Sequence, residues 1–357
     1  MTYYSRVIAL TVSLAICTAA LKLDTYQNLV PVDQQWQFLK NTAASGVDFV
    51  NVPGGPPSAG FDRPLYRELG PLPSDEHSIG GSIAATDKPV FGITIGYQKC
   101  GTTFMGKVLN FHPDTIHHGA KEKHYLTAGK SQCKGQGPAK SLAAYIRDCF
   151  EGEWPGPGQA TLDLTPTYGI IQYAEGVTQR IKAFETNHSQ FRFIVVLRPP
   201  TARAISAKSM ARKNRERGHE DATDEELDAI LLQELAKRKN GTNLRTITDG
   251  EYYKPLELWL KTFSKDQVLI VNSAHLNDPT VWRRIYLHLG LRMPTKEQAL
   301  AWIKESNMMY QQLQVHKYEA TQTKPYKASQ SVMDTLAEHY APHNRKLWKL
   351  LGARPWW

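Results

Sequence analysis

The stretch that most restricts the fold of this chain is ITIGYQKCGTTFMGKVL, Ile93 to Leu109. A short apolar run enters a turn holding Gly96 and Gly101, and a helix-forming run leaves it. An apolar run of that length, ended by glycine, reads as a buried strand. The same alternation recurs downstream. Val90 to Ile95, Ala160 to Leu164, Phe191 to Leu197 and Gln267 to Val271 read as strands, and Thr102 to Leu109, Pro200 to Arg217, Asp224 to Lys239, Pro279 to Leu289 and Ser331 to Leu351 read as helices. Thr223 with Glu226 forms a candidate capping box for the third helix, whose apolar face would be Leu227, Ile230, Leu231 and Leu235. In the last helix Leu336, Tyr340, Leu347 and Leu351 recur at helical spacing. Strands alternating with helices predict an α/β fold of three layers, a central, mostly parallel sheet flanked by helices.

The glycine turn carries chemistry of its own. Gly96 and Gly101 permit a tight turn whose backbone N–H groups point inward. Such a nest, closed by a helix N-terminus, binds phosphate or sulfate oxygens, and Thr102 and Thr103 add hydroxyl donors. The nucleotide-triphosphatase pattern requires Gly-Lys followed by Ser or Thr. Here Gly101 runs directly into Thr102, and Lys99 precedes Gly101 by two residues, so no magnesium–triphosphate grip is spelled out. A second segment, FRFIVVLRPPTARAIS (Phe191 to Ser206), ends a strand in Arg198, breaks it at Pro199 and Pro200, and continues as a helix. Arg198 at the strand's C-terminal edge and Ser206 on the helix can converge on one anion, because ligands of open α/β sheets bind at that edge. A planar guanidinium with a hydroxyl suits a monophosphate. Taken singly, the first segment also reads as an ordinary strand-to-helix turn, and Arg198 in the second as a cap on a solvated edge.

The rest of the chain sets the context. Val7 to Leu21 is fifteen uncharged residues, preceded by Arg6 and followed by Lys22. A spanning helix needs about 20 apolar residues and a signal-peptide core about 7–15. Residues 1–23 therefore read as a signal peptide or a short signal-anchor, and either sends the chain into the secretory pathway. From Asn51 to Pro73, six Pro and four Gly fall in 23 residues. Residues 24–87 read as a Pro/Gly-rich stem and 88–357 as the folded domain. Four scattered cysteines without C-x-x-C spacing argue against a zinc site. Cys133 and Cys149 can pair in an oxidising lumen, though spacing alone does not decide it. Lys plus Arg number 43 against 34 Asp plus Glu, a net charge of +9 over 357 residues, which points to an anionic partner. Duplex DNA is disfavoured, because no nucleic-acid-binding motif appears and the targeting segment points to a lumen.

Together these segments resemble the sulfotransferases that use 3′-phosphoadenosine 5′-phosphosulfate (PAPS), and within them the Golgi carbohydrate and glycosaminoglycan branch. K-C-G-T-T resembles that family's 5′-phosphosulfate loop. R-P-P-T-A-R-A-I-S resembles its 3′-phosphate motif R-D-P-x-x-R-x-x-S, with Pro199 at the usual Asp. His112-Pro113-Asp114, then Lys121-Glu122-Lys123-His124-Tyr125, then LAEHYAPHNRKLWKLLG (Leu336 to Gly352) follow in the family's order, as do Gly250, Tyr252, Leu256, Trp259 and Leu260. The resemblance implies a P-loop-type fold and transfer of a sulfuryl group from PAPS to a carbohydrate hydroxyl, with no metal required. It implies Glu122 as base and His124 as its orienting partner. Lys99 would face the leaving oxygen, and Cys100, Gly101, Thr102 and Thr103 would hold the 5′-phosphate. Arg198 and Ser206 would hold the 3′-phosphate, and Lys327, with Lys324, would lie on a basic loop covering the cofactor. It also implies a single-pass type II protein of the Golgi lumen, or a secreted one if the N-terminal segment is cleaved.

One departure matters. Several heparan sulfate enzymes of this family carry a lysine before Thr-Pro, where this chain reads Asp163-Leu164-Thr165-Pro166-Thr167-Tyr168. Leu164 supplies no charge, which argues against a close heparan sulfate enzyme, and Asp163 is expected to face the acceptor instead. From Arg198 to Arg217 seven basic residues stand against Glu216, net +6. This run, Arg203 included, is a candidate track for a polyanionic acceptor; a solvated helix face is the bland alternative. Two other functions compete: a P-loop nucleotide kinase, against which the missing Gly-Lys-Ser/Thr speaks, and a non-catalytic glycan-binding protein on the same fold.

Overall fold

β1 (Val90–Gly96) is buried along all seven residues, as a strand must be when it has a neighbour on each side and helices on both faces. The structure, a computed structural model, describes residues 88–127, 131–135, 137–184, 190–214, 222–321, 324–352 and 356–357. The targeting segment and the stem read from the sequence lie outside the described residues. The other strands are β2 (Thr115–Ile116), β3 (Ala160–Asp163), β4 (Phe191–Leu197) and β5 (Val268–Asn272). Their order is β2-β3-β1-β4-β5 and every pairing is parallel. All five strands therefore end at one edge of the sheet.

The helices are α1 (Thr102–Asn110), α2 (Leu142–Cys149), α3 (Ile171–Ala183), α4 (Pro200–Lys213), α5 (Asp224–Lys239), α6 (Arg245–Thr248), α7 (Tyr253–Thr262), α8 (Pro279–His288), α9 (Lys296–Thr321) and α10 (Gln330–Leu351). The predicted strands and helices form within a residue or two of their expected bounds. The exception is the helix expected over Pro200 to Arg217, which ends earlier, at Lys213, with Asn214 as its C-cap; residues 215–217 lie outside the described residues. The capping box at Thr223 and Glu226 is present in both directions. Leu227, Leu231 and Leu235 are buried in a small second core with Leu336 and Tyr340 of α10.

Elements the sequence reading left out have weaker signals. β2 is two residues long. α7 carries Pro255 in its first turn, where proline is tolerated but breaks the pattern. α9 leaves Leu300 and Met309 exposed, so it lacks a continuous apolar stripe. Cys133 and Cys149 are joined in a disulfide, tying the loop after Tyr125 to the end of α2. No helix among the described residues is long and apolar enough to cross a membrane.

Two charged contacts fix the periphery. Arg292 grips Asp114 through two hydrogen bonds of 2.6 Å, and its carbonyl lies 2.8 Å from His112 Nε2, so the His112-Pro113-Asp114 turn is locked to the segment between α8 and α9. Glu251 accepts two hydrogen bonds of 2.7 Å from Arg238 of α5 and lies 3.2 Å from His339 of α10. Burial pushes the Glu251 carboxyl up, but His339 and Arg238 outweigh burial and hold it at about 2. A carboxyl held below its unfolded value contributes stability above that value and loses it as pH falls through the folded one. Glu251→Gln should therefore be less stable than the wild type at neutral pH, and the gap should close between about pH 4.5 and 2, where the wild-type carboxyl protonates. Urea titrations across that range measure it.

Candidate active site

The loop after β1 is shaped by its backbone. Tyr97 N–H donates to Val196 of β4 at 3.2 Å, and Cys100 N–H turns back to Tyr97 at 3.1 Å. Gly101 caps α1 at φ 96°, a left-handed conformation, and a Cβ there would stand 2.7 Å from Leu276 Cδ1. Only glycine meets both demands without strain. Lys99 is left-handed as well, at φ 70°. The first turn of α1 holds no acidic residue, so its N–H groups and the positive end of its dipole stay available to an anion. Thr102 is buried and Thr103 half-buried at that turn.

The two predicted anion-binding segments meet here. Arg198, one residue past β4, donates from Nη1 to the Lys99 carbonyl at 3.2 Å. Tyr252 donates to the Arg198 carbonyl at 3.0 Å and lies 3.6 Å from the Cys100 sulfur. Burial pushes the Cys100 thiol up, against the Tyr252 contact and the pull of Arg203 and Arg198. It stays a thiol and puts no negative charge beside the loop. The sequence reading passed over Tyr252 as a bracing residue, although it stands in the Gly250-Glu251-Tyr252 motif. Ser206 is half-buried on α4. Lys327 is exposed, on a strap held to α4 and α5: Tyr326 N–H donates to Ser209 at 3.1 Å, Arg212 to the Lys324 carbonyl at 2.6 Å, and Lys327 N–H to Asp224 at 3.3 Å.

The segment Lys121 to Thr127 leans on α1 where Gly106 leaves room: a Cβ there would meet Leu164 Cδ1 at 2.5 Å and Lys121 Cδ at 3.7 Å. Lys121 and Leu164 also exchange hydrogen bonds, Leu164 N–H to Lys121 O at 3.2 Å and Lys121 Nζ to Leu164 O at 3.4 Å. Glu122 lies between two bases, 2.7 Å from Lys121 Nζ and 3.3 Å from His124 Nε2, with about a third of its side chain exposed. Burial pushes the Glu122 carboxyl up, but His124 and Lys121 outweigh it and the net shift is downward. Glu122 is therefore an ionised carboxylate that solvent, and so an acceptor, can reach.

Three expectations are corrected. Asp163 cannot face an acceptor: it is fully buried, and Tyr145, Tyr168 and Thr165 all donate to its oxygens. Arg203 cannot touch a polymer either. It is fully buried and donates to the Thr246 carbonyl. The basic run is largely internal where it is described: Lys208 is buried against Glu234 at 2.9 Å and Arg212 against Asp224 at 2.9 Å. Arg215, Glu216 and Arg217 lie outside the described residues. One group among the described residues has metal-ligand composition, Glu251 with His339 and His343. Both Glu251 oxygens already accept Arg238, so the group reads as an ion-pair network.

Comparison with known proteins places this geometry. The sulfotransferase domain profile matches residues 92–339. The chain is 27% identical over 270 residues to heparan sulfate glucosamine 3-O-sulfotransferase 3B1 of Mus musculus, covering 73% of this chain and 63% of that protein. It is 28% identical over 184 residues to the 3-O-sulfotransferase 5 of the same organism, covering 52% and 48%. The chain thus spans less than two thirds of the length of these relatives. A sulfotransferase from Alicyclobacillus acidocaldarius has the same fold, with TM-score 0.51 and 19% identity over 75% of this chain and 97% of that one. With its profile spanning both anion-binding segments and the Glu122 loop, the chain belongs to the sulfotransferase domain family.

Proposed function

We propose that the protein transfers a sulfuryl group from PAPS to a hydroxyl of a carbohydrate acceptor in the Golgi lumen, a glycosaminoglycan-like polysaccharide being the acceptor class its relatives' names favour. The observation that carries this is the bond from Arg198 to the Lys99 carbonyl. It joins two separate anion-binding segments at one sheet edge, as a donor with phosphate groups at both ends of its ribose requires. The loop fits such a donor: the groups around it are backbone N–H groups, hydroxyls and cations, and the first turn of α1 holds no acidic residue.

When bound, PAPS supplies the activated sulfuryl group. The backbone of Cys100, Gly101, Thr102 and Thr103 holds the 5′-phosphate, and Lys99 neutralises the charge that grows on the leaving oxygen. Arg198 and Ser206 hold the 3′-phosphate, and the strap bearing Lys327 covers the nucleotide. Glu122 takes the proton of the acceptor hydroxyl as that oxygen attacks. His124 and Lys121 keep Glu122 ionised, and Lys121 is the cation beside it; Leu164, at the position of the lysine in several heparan sulfate enzymes, brings none. Positioning and electrostatics carry the rest of the acceleration, as in phosphoryl transfer.

Incubating the protein with radiolabelled PAPS and a panel of glycans should label at least one polysaccharide. Failure to label any glycan, together with no binding of the product nucleotide, would overturn the reading. Magnesium-dependent consumption of ATP would restore the kinase alternative. Glu122→Gln should lower kcat by about 10²–10⁴-fold, the usual worth of a general base, while product-nucleotide affinity stays near the wild-type value. Undiminished turnover in that variant would remove Glu122 from the base role.

A further inference from the structure

We infer that Asp163 is a positioning residue for the reaction: from the buried end of β3 it sets the hydrogen-bond polarity of the hydroxyls that hold the Glu122 loop. This rests on the reading of Glu122 as base. An ionised carboxylate accepts hydrogen bonds and donates none. Tyr145 and Tyr168 give their hydroxyl protons to Asp163 at 2.7 and 2.9 Å. Thr165 gives it both its N–H, at 3.1 Å, and its hydroxyl proton. Two of these hydroxyls, with their protons committed, turn lone pairs toward the loop. Thr165 Oγ1 accepts the His124 N–H at 3.2 Å, and Tyr168 Oη accepts the Leu126 N–H at 3.3 Å.

His124 needs that support. It is a non-glycine residue at φ 53°, a conformation that persists only where its surroundings over-determine it. Its ring is held on both sides, Nδ1 lying 3.4 Å from Thr167 Oγ1 and Nε2 3.3 Å from Glu122. The chain of contact runs from Asp163 through Thr165 to His124 and then to the base. Asp163, Thr165 and Tyr168 are completely buried, so water cannot take over a broken link. An amide in place of the carboxylate would offer N–H groups toward one of these hydroxyls. That hydroxyl would have to accept, and its own proton would then face the loop N–H that it now binds.

The test reads the loop and the chemistry separately. Asp163→Asn and Thr165→Val should each lower kcat about tenfold or more, as expected for a misplaced catalytic group, with KM for the donor unchanged. Lys121 and the His124 imidazole are the basic groups that face Glu122. With His124 displaced, the Glu122 carboxyl loses its hydrogen bond and rises, so the acid limb of the kcat–pH profile should move to higher pH. In Asp163→Asn, hydrogen exchange at the His124 and Leu126 amides should quicken. Tyr145→Phe removes a donor to Asp163 that has no link to the loop; it should cost stability and leave the acid limb in place. Wild-type exchange at both amides and an unmoved acid limb in Asp163→Asn and Thr165→Val would overturn the inference, as would an equal shift in Tyr145→Phe. Amide exchange is read without turnover, so it stands or falls separately from the role of Glu122.

Discussion

Everything at this site depends on the parallel pairing of β1 with β4. Because the two strands run the same way, the loops that leave them emerge at one edge, and a single guanidinium, Arg198, can reach across to the Lys99 carbonyl. A mixed or antiparallel pair would send the two segments to opposite ends of the sheet. The helix N-terminus of α1, the left-handed glycine that starts it and the neutral thiol of Cys100 then act on one small volume. Tyr252 closes the arrangement from behind by bonding the Arg198 carbonyl.

The same edge also receives β3, so the turn that follows it emerges where the loops after β1 and β4 do. β3 ends in Asp163, and the turn that follows supplies the hydroxyls on which the Glu122 loop rests. The site therefore divides into two kinds of polar group. Lys99, Arg198 and Glu122 retain exposure and can meet ligands. Asp163, Arg203 and Lys208 spend their charge inside the protein. Burying a charge is costly unless it is paired or hydrogen-bonded, and Asp163 and Lys208 have such partners.

That division explains what could and could not be read from the residues alone. Four of the five strands were legible because each is a short apolar run bounded by glycine, a charge or another polar residue; β2, two residues long, carried no such signal. The residues proposed to bind the donor stood out because a glycine turn and a strand-end arginine both fall at the sheet edge where ligands of open α/β sheets bind. The burial of Asp163 and Arg203 was not legible, because a charged residue beside a motif looks the same in sequence whether it points out or in. The hydroxyls of Thr165 and Tyr168, separated in the chain from the loop they hold, were hidden for the same reason. Helical phase gave no clue either: Arg203, Lys208 and Arg212 spread around α4 rather than lining one face, yet all three are buried.

In the proposed reaction the loop after β1 and the segment from Arg198 to Ser206 grip the two ends of one doubly phosphorylated nucleotide. Calorimetric titration with 3′-phosphoadenosine 5′-phosphate and with adenosine 5′-phosphate tests it most directly. The nucleotide bearing the 3′-phosphate should bind about tenfold to a hundredfold more tightly, the worth of one charge-assisted contact, and Arg198→Ala should remove most of that difference. Equal affinity for the two nucleotides, or a preference that survives Arg198→Ala, would contradict it.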